Sequence, residues 1–263
     1  RSSRGLGDVY KRQILGVMAW AERTPDLTAL RDAAQRAQPV ALAREQILPV
    51  LGGLEEIVAG PGLRRGTTVA VTGAVGVESF TLALAAGASQ QGSWTAVVGL
   101  PSLGLVAAGQ VGVALDRLAV IDAPPTASWG AVVAALTDGF DLVVLDARRG
   151  LPGRQVQRLS ARVRERGAVL LLVGGDRGHR WPLAADIDVR VTDATWEGLG
   201  AGHGFLRART LSVEATGRRG ATRRRQLDVQ LPDPKGGLTV IPAAEESIEP
   251  EVPQRPRLTV VAS

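Results

Sequence analysis

Short apolar runs alternate with segments of helical periodicity through the middle of the chain. Each run is bounded by turn residues and is far shorter than the roughly 20 residues of a membrane-spanning helix. The runs are TTVAVTG (67–73), TAVVGL (95–100), RLAVID (117–122), DLVVLDA (141–147) and AVLLLVGG (168–175). Because strands that alternate with helices indicate βαβ units, the pattern predicts an α/β fold with a mainly parallel sheet flanked by helices.

Two segments have a clear helical pattern. Residues 154–167 place apolar side chains three or four positions apart, cover the other face with arginines and end in a glycine. Residues 24–38 begin with a Thr-Pro pair, which suits the start of a helix. Pro39 follows directly and ends or kinks the predicted helix. We assign this second helix to an N-terminal helical segment at residues 14–47.

The pattern changes after residue 175. Residues 187–192, 205–216 and 223–232 alternate apolar and polar positions, which is typical of antiparallel strands with one solvated face. Glycine and arginine residues at 217–221 predict a hairpin turn between the last two of these strands. From Pro232 the chain is rich in Pro and Glu, and we predict a mostly disordered tail over residues 232–263.

Composition excludes several classes of chemistry. The chain has no cysteine, which removes disulfides, zinc–thiolate sites, iron–sulfur clusters and a cysteine nucleophile. Its two histidines, His179 and His203, are far apart and have no clustered acid, so we predict neither a metal site nor a catalytic triad. The only lysines are Lys11 and Lys235. A mechanism that needs a lysine is therefore absent from the predicted α/β core.

The first thirteen residues, RSSRGLGDVYKRQ, differ from the rest of the chain. They are polar and lack periodicity, and they resemble a translated sequencing adapter. We expect residues 1–13 to be an artefact and leave them out of the fold prediction. They carry four basic residues against one aspartate, so they account for more than half of the formal net charge of +5.

The segment VTGAVGVESF has the strand–glycine turn–helix pattern of a phosphate-binding loop. Such a loop needs glycines, a lysine for the β- and γ-phosphates and a hydroxyl for magnesium. Gly73 and Gly76 supply glycines, but Ser79 stands at the lysine position. Glu78 replaces the preceding glycine, and Phe80 replaces the hydroxyl residue. We predict a degenerate phosphate loop with no catalytic residues and no bound cofactor.

Other interpretations of this loop stay open. Thr81 offers a hydroxyl one position out of register, and Arg64 or Arg65 offers a cation in the turn before the strand. The simplest alternative is an ordinary strand–turn–helix unit that binds nothing. In that case Glu78 occupies the positive end of its own helix.

Several segments in order resemble the core of the RecA recombinase. Residues 48–84 resemble its entry helix, first strand, phosphate loop and following helix. Residues 108–122 resemble the segment that joins its second and third strands. Residues 138–150 resemble the Walker B strand, with Asp146 at the magnesium-associated position. The resemblance extends over residues 45–231 and implies a RecA-like core at residues 48–231.

Departures from the RecA pattern narrow the resemblance. GLPSLG (99–104) has no acid where RecA has a catalytic glutamate after the second strand, and Asp146 is also a common structural residue at a strand end. The chain therefore resembles the ATPase-deficient ImuA group, which is related to the cell-division inhibitor SulA. The resemblance implies a cytoplasmic, non-catalytic accessory protein of the DNA damage (SOS) response that supports error-prone translesion synthesis.

By the same resemblance, the partners are an ImuB-like Y-family polymerase homologue and an error-prone C-family polymerase, with no membrane. Two alternatives remain: a nucleotide-dependent recombinase paralogue, and a SulA-like cell-division inhibitor that acts by binding protein. ATP binding by the isolated protein favours the first. Capture of a division protein without DNA binding favours the second.

Positive charge is concentrated in the predicted hairpin. Residues 204–231 carry seven arginines against two acids. We predict that single-stranded DNA is contacted by Arg218, Arg219, Arg223, Arg224 and Arg225, because guanidinium groups pair well with phosphate oxygens. A solvated hairpin edge or an acidic protein partner explains the same charge.

Aromatic rings for base stacking are few, with Trp181, Trp196 and Phe205 as the candidates. The last residues, RPRLTVVAS (255–263), form an apolar β-prone run. They suit either strand addition to a partner's sheet or a solubilising end.

Overall fold

The parallel strands predicted from the apolar runs form the centre of a nine-stranded sheet. This sheet is seen in a computed structural model of the chain. The structure describes residues 46–125, 128–147, 153–175, 185–199, 204–218 and 223–242. Residues 1–13, the helix expected at 24–38 and the chain end at 255–263 lie outside the described residues.

The elements follow the predicted alternation of strands and helices. The strands are β1 (Ile47–Pro49), β2 (Gly62–Arg64), β3 (Thr68–Gly73), β4 (Thr95–Val98), β5 (Leu118–Ile121), β6 (Leu142–Asp146), β7 (Val169–Val173), β8 (Ile187–Leu199), β9 (Gly204–Gly217), β10 (Arg225–Gln230) and β11 (Thr239–Ile241). The helices are α1 (Glu55–Val58), α2 (Val77–Gln90), α3 (Leu105–Gln110), α4 (Trp129–Gly139) and α5 (Gly153–Arg166), and Leu115–Arg117 form a 3₁₀ turn.

The sheet has a parallel half and an antiparallel half. Its strand order is β11-β10-β9-β8-β3-β7-β6-β4-β5, and β1 and β2 form a separate antiparallel pair. The strands from β8 to β5 in this order are parallel to their neighbours. From β8 outward to β11 the neighbours are antiparallel. The predicted fold class is confirmed.

Burial on both faces explains why the central strands are continuous apolar runs. Every residue of β6 and β7 is buried. One face of the sheet packs against α2, which has eleven buried residues, and the other face packs against α4 and α5. Helix α2 also lies close to the chain after β1, because a Cβ at Gly87 would stand 2.4 Å from the backbone of Val50.

Strand β8 differs from its prediction in direction and length. It was predicted as an antiparallel strand at 187–192, but it lies parallel to β3 and antiparallel only to β9. It also continues to Leu199 past a register shift between Val191 and Asp193. The bulge breaks the apolar–polar alternation. The pattern in the sequence therefore ends near the bulge, although the strand continues beyond it.

The prediction of a disordered tail from Pro232 is wrong for residues 232–242. Asp233 organises a turn there: its carboxylate accepts hydrogen bonds from the backbone N–H groups of Lys235 and Gly237 at 2.8 and 2.9 Å, and from the Thr239 hydroxyl at 2.9 Å. The turn returns the chain to the sheet as β11, which pairs with β10. A strand of three residues is too short to show periodicity in the sequence.

Candidate functional site

The loop between β3 and α2 lies at the carboxyl end of the parallel strands, beside the end of β7. A cavity of about 350 Å³ at this point is lined by residues 73, 74, 76–79 and 173–175. The chain runs outward from β3 to β5 and then returns through β6 and β7 to β8, on the other side of β3. Ligands of open α/β sheets bind outside the carboxyl strand ends where the strand order reverses in this way.

The two glycines of the loop are explained by packing inside the protein. Gly76 precedes α2 with φ 80°, and a Cβ there would stand 2.8 Å from the Leu211 side chain. Gly73 has φ 148°, and its Cβ would stand 2.6 Å from the carbonyl oxygen of Val191. Strands β8 and β9 therefore require both glycines, whether or not a phosphate binds.

The three residues that depart from a phosphate loop have separate structural roles. Phe80 is fully buried in the hydrophobic core. Glu78 lines the cavity, and its carboxylate oxygens accept hydrogen bonds from the Ser102 hydroxyl at 2.9 and 3.0 Å. Ser79 also lines the cavity. The lining thus contains a carboxylate, while the magnesium position is occupied by a core side chain.

The substitute groups considered from the sequence do not serve this loop. The hydroxyl of Thr81 is buried and donates to the carbonyl of Val77 at 2.8 Å, within its own helix. Arg65 lies at the opposite end of β3, where its guanidinium stands 2.7 Å from the carboxylate of Asp141. Arg64 lines a cavity at that same end. The suggestion that either arginine reaches the loop is therefore wrong.

Among the described residues of the lining the cation is Arg209, which was not predicted from the sequence. It comes from β9, is 8 % exposed, and donates from Nε to the carbonyl of Leu231 at 2.8 Å. Its guanidinium stacks over the ring of Trp196, 5.1 Å from the ring centre. Burial lowers the pKa of Arg209. A signal existed in the sequence: Arg209 shares the inward-facing alternation of Leu211 and the residues after it.

Asp146, the Walker B candidate, ends β6 and is 6 % exposed. Strand β7 lies between β6 and β3, and Asp146 pairs in register with Val173. Val173 lines the cavity, whereas Asp146 does not. The structure therefore places Asp146 at the carboxyl ends of the strands, as it does the degenerate loop, but outside the cavity wall.

The two arginines at the start of β10, Arg224 and Arg225, are held in different ways. Arg224 forms an ion pair with Glu214 on β9. Hydrogen bonds from Arg224 and Gln226 lower the pKa of Glu214. Arg225 is partly buried, and burial lowers its pKa while the charge of Glu56 opposes that change. The ion pair leaves Arg224 less available for phosphate although most of its side chain is exposed. Burial does the same for Arg225, whose Nε and one Nη have no hydrogen-bond partner among the described residues.

The other predicted DNA contacts are Arg218, Arg219 and Arg223. Arg223 is exposed, and Arg219 lies outside the described residues. Arg218 directly follows β9, donates its backbone N–H to the carbonyl of Asp186 at 2.9 Å and lines the cavity at the amino end of β3. The five predicted arginines thus do not form a single described cluster.

The candidate stacking rings lie on the far part of the β8–β9 hairpin. Phe205 is 83 % exposed and Trp196 is 38 % exposed, and Leu206 beside them is also exposed. Trp181 is outside the described residues. In the described ranges, no three His, Cys, Asp or Glu side chains group in a way that could hold a metal ion. None of the described helices is long and apolar enough to cross a membrane.

Comparison with known proteins shows the family to which the chain belongs. The MT3502 N-terminal domain matches residues 56–182. An uncharacterized protein of Mycobacterium tuberculosis, Rv3395c, is 37 % identical over 177 residues, which cover 61 % of this chain and 84 % of the mycobacterial protein. The chain belongs to the family of this mycobacterial protein. The domain match includes the degenerate loop and Asp146 and ends before β8, so Arg209 and the basic hairpin lie beyond it.

Proposed function

We propose that the protein is a non-catalytic, RecA-like accessory protein of the cytoplasmic DNA damage response. In this role it supports error-prone translesion synthesis by binding an ImuB-like Y-family polymerase homologue and an error-prone C-family polymerase. Contact with DNA is part of the proposed role. The identity of the partners rests on the resemblance to the ImuA group.

The observation that carries the proposal is the state of the loop at residues 73–80. Its cavity lies where a RecA-like protein would hold a nucleotide, but Glu78 adds a negative charge to the wall. Phe80 is part of the core, so its position offers no ligand to magnesium. A nucleotide triphosphate with magnesium would meet electrostatic repulsion and would lack a metal ligand from the protein.

Nucleotide binding by the full chain tests the non-catalytic part of the proposal. We expect no saturable binding of a fluorescent ATP analogue with magnesium up to millimolar concentration, no shift of the thermal midpoint and no phosphate release. A nucleotide-dependent recombinase paralogue is the second candidate, and the buried cation Arg209 in the cavity wall favours it. Saturable ATP binding that is lost in Arg209→Met would replace our proposal with that candidate.

Capture experiments test the partner part. The immobilised full chain is expected to retain a purified ImuB-like homologue in the presence of nuclease, and to leave an unrelated DNA polymerase in solution. Nuclease treatment removes bridging by DNA. Retention of a cell-division protein in place of the polymerase homologue would support the SulA-like alternative and contradict the translesion role.

A further inference from the structure

A second cavity, of about 510 Å³, lies at the amino ends of β3 and β8. The degenerate loop lies at the opposite, carboxyl end of β3. We call this second cavity the arginine cleft, because its lining includes Arg64, Arg65, Arg164 and Arg218. Asp186 is the acid in the lining. None of these arginines except Arg218 belongs to the basic hairpin noted in the sequence.

Backbone pairing and side-by-side packing bring distant segments of the chain together to build the cleft. Ile187 pairs with Val69 on one side and with Gly217 on the other, which brings Arg218 beside the turn before β3. Gly66 in that turn donates its N–H to the carbonyl of Ala168 at 2.9 Å. A Cβ at Gly66 would stand 3.2 Å from the Cα of Arg164, so the end of α5 packs tightly against the turn. The cleft is therefore built on packed backbone at the amino ends of β3 and β8.

Charge in the cleft is only partly neutralised within the protein. Arg65 pairs with Asp141 at 2.7 Å. The carboxylate of Asp186 accepts a hydrogen bond from the N–H of Thr68 at 2.9 Å. Within the described residues, the side chains of the other arginines in the lining form no ion pair or hydrogen bond; these are Arg64, Arg164 and Arg218. The cleft thus holds a surplus of positive charge.

One more acid lies near the cleft. Asp188 on β8 follows the lining residue Ile187. Burial raises the pKa of Asp188, and the charge of Arg218 opposes that rise. This attraction acts at a distance, without an ion pair within 4 Å, so it leaves the Arg218 guanidinium available to a ligand.

The cleft offers guanidinium groups and few backbone donors. The turn uses its own N–H groups internally: Arg65 donates to Gln46, Gly66 to Ala168 and Thr67 to Arg64. Guanidinium groups bind phosphate oxygens through paired hydrogen bonds. The remaining donors of the cleft therefore suit an anion with several phosphate groups spread along the cleft.

We propose that the arginine cleft holds the sugar–phosphate backbone of DNA. The choice of DNA as the ligand rests on the proposed function. The cleft is the surface that makes the DNA contact included in that function. No aromatic side chain stands in the described lining, so bases have no stacking platform and binding does not depend on base sequence. With three arginines contacting phosphate, binding to a single strand weakens roughly 20-fold between 50 and 200 mM salt, because the log–log slope is about −0.7 per phosphate.

The test measures fluorescence anisotropy of a labelled single-stranded oligonucleotide of mixed sequence, titrated with the full chain at several salt concentrations. The cleft variant replaces Arg64, Arg164 and Arg218 with Gln. The matched control replaces Arg158, Arg207 and Lys235, which are exposed outside the cleft and are not among the predicted DNA contacts, with Gln and changes the net charge equally. We expect the cleft variant to bind at least tenfold more weakly, with a slope closer to zero by about two. The control should stay within threefold of the natural chain.

Equal losses in both variants would assign the binding to overall charge and overturn the inference, as would unchanged binding in the cleft variant. Phenylglyoxal labelling of the natural chain gives a result that needs no variant: the oligonucleotide should protect the cleft arginines and leave Arg158 reactive. If the cleft variant loses capture of the polymerase homologue but keeps DNA binding, the cleft is a protein-docking surface and the inference fails. Failure of capture in the natural chain, with DNA binding retained in the cleft, contradicts only the translesion role.

Discussion

Phe80 determines at the residue scale what the degenerate loop is able to do. It occupies the magnesium position of a phosphate loop, yet its whole side chain is inside the core. A hydroxyl at this position would leave a cavity and bury a polar group. One side chain thus both contributes to the core and leaves this position without a group that could bind magnesium.

Replacing Phe80 by Thr should therefore destabilise the protein strongly. Large-to-small changes of a buried phenylalanine cost about 3–5 kcal/mol, so the free energy of unfolding should fall by about that amount. Urea denaturation followed by far-UV circular dichroism measures it. Phe80→Leu is the control and should cost about 1.5 kcal/mol or less. Equal stability of Phe80→Thr and the natural chain would show that the side chain is not part of the core.

Among the elements, the turn before β11 shows how one carboxylate organises a return to the sheet. Asp233 is desolvated, which by itself would raise its pKa, but hydrogen bonds from Thr239 and from the N–H groups of Lys235 and Gly237 together lower it. A carboxyl group with a lowered pKa in the folded state stabilises that state when it is ionised. The turn therefore depends on pH.

We expect the contribution of Asp233 to be fully present above its unfolded pKa of about 3.9 and to be lost as the pH falls through the lower pKa of the folded state. The protection factors of the β11 amides, in which the intrinsic pH dependence of exchange is divided out, should fall across that acidic window in the natural chain. In Asp233→Asn, exchange in β11 should be faster at neutral pH, with a weaker dependence on acid. Equal exchange in both proteins at pH 7 would contradict the role of the carboxylate.

Elements were predictable where one pattern persists over the whole element. The central parallel strands are apolar runs buried on both faces, and α5 has a regular apolar stripe, so both could be predicted from the sequence. The extension of β8 could not, because the bulge after Val191 interrupts the alternation. Arg209 was missed because its partners, Trp196 and Leu231, come from other strands. The arginine cleft was missed because sheet pairing assembles it from distant segments.

On the scale of the whole molecule, the parallel and antiparallel halves share one core. Val71 of β3, Phe80 of α2, Leu211 of β9 and Val229 of β10 belong to the same buried cluster. Because β8 is hydrogen-bonded to β3 and to β9, no sheet edge separates the halves. We therefore expect them to unfold together in one cooperative transition.

Leu211→Ala tests this cooperativity. The change removes a fully buried side chain in the antiparallel half and should lower the free energy of unfolding by about 2–5 kcal/mol. The fluorescence of Trp94, which lies in the parallel half against Phe140, should report the same lowered midpoint as circular dichroism. A variant that keeps Trp94 as its sole tryptophan isolates the signal. Separate midpoints for the two probes would mean that the halves are independent units.

The burial of Phe80 and the packing of Leu211 over Gly76 also affect how easily this loop could be converted into an ATP site, by natural selection or by design. Introducing a lysine at Ser79 would leave magnesium without its ligand, and introducing the ligand would open a hole in the core. Filling that hole demands larger side chains on neighbouring elements at the same time. The substitution that supplies the magnesium ligand therefore carries a cost in folding, which is a barrier to converting this loop into an ATP site.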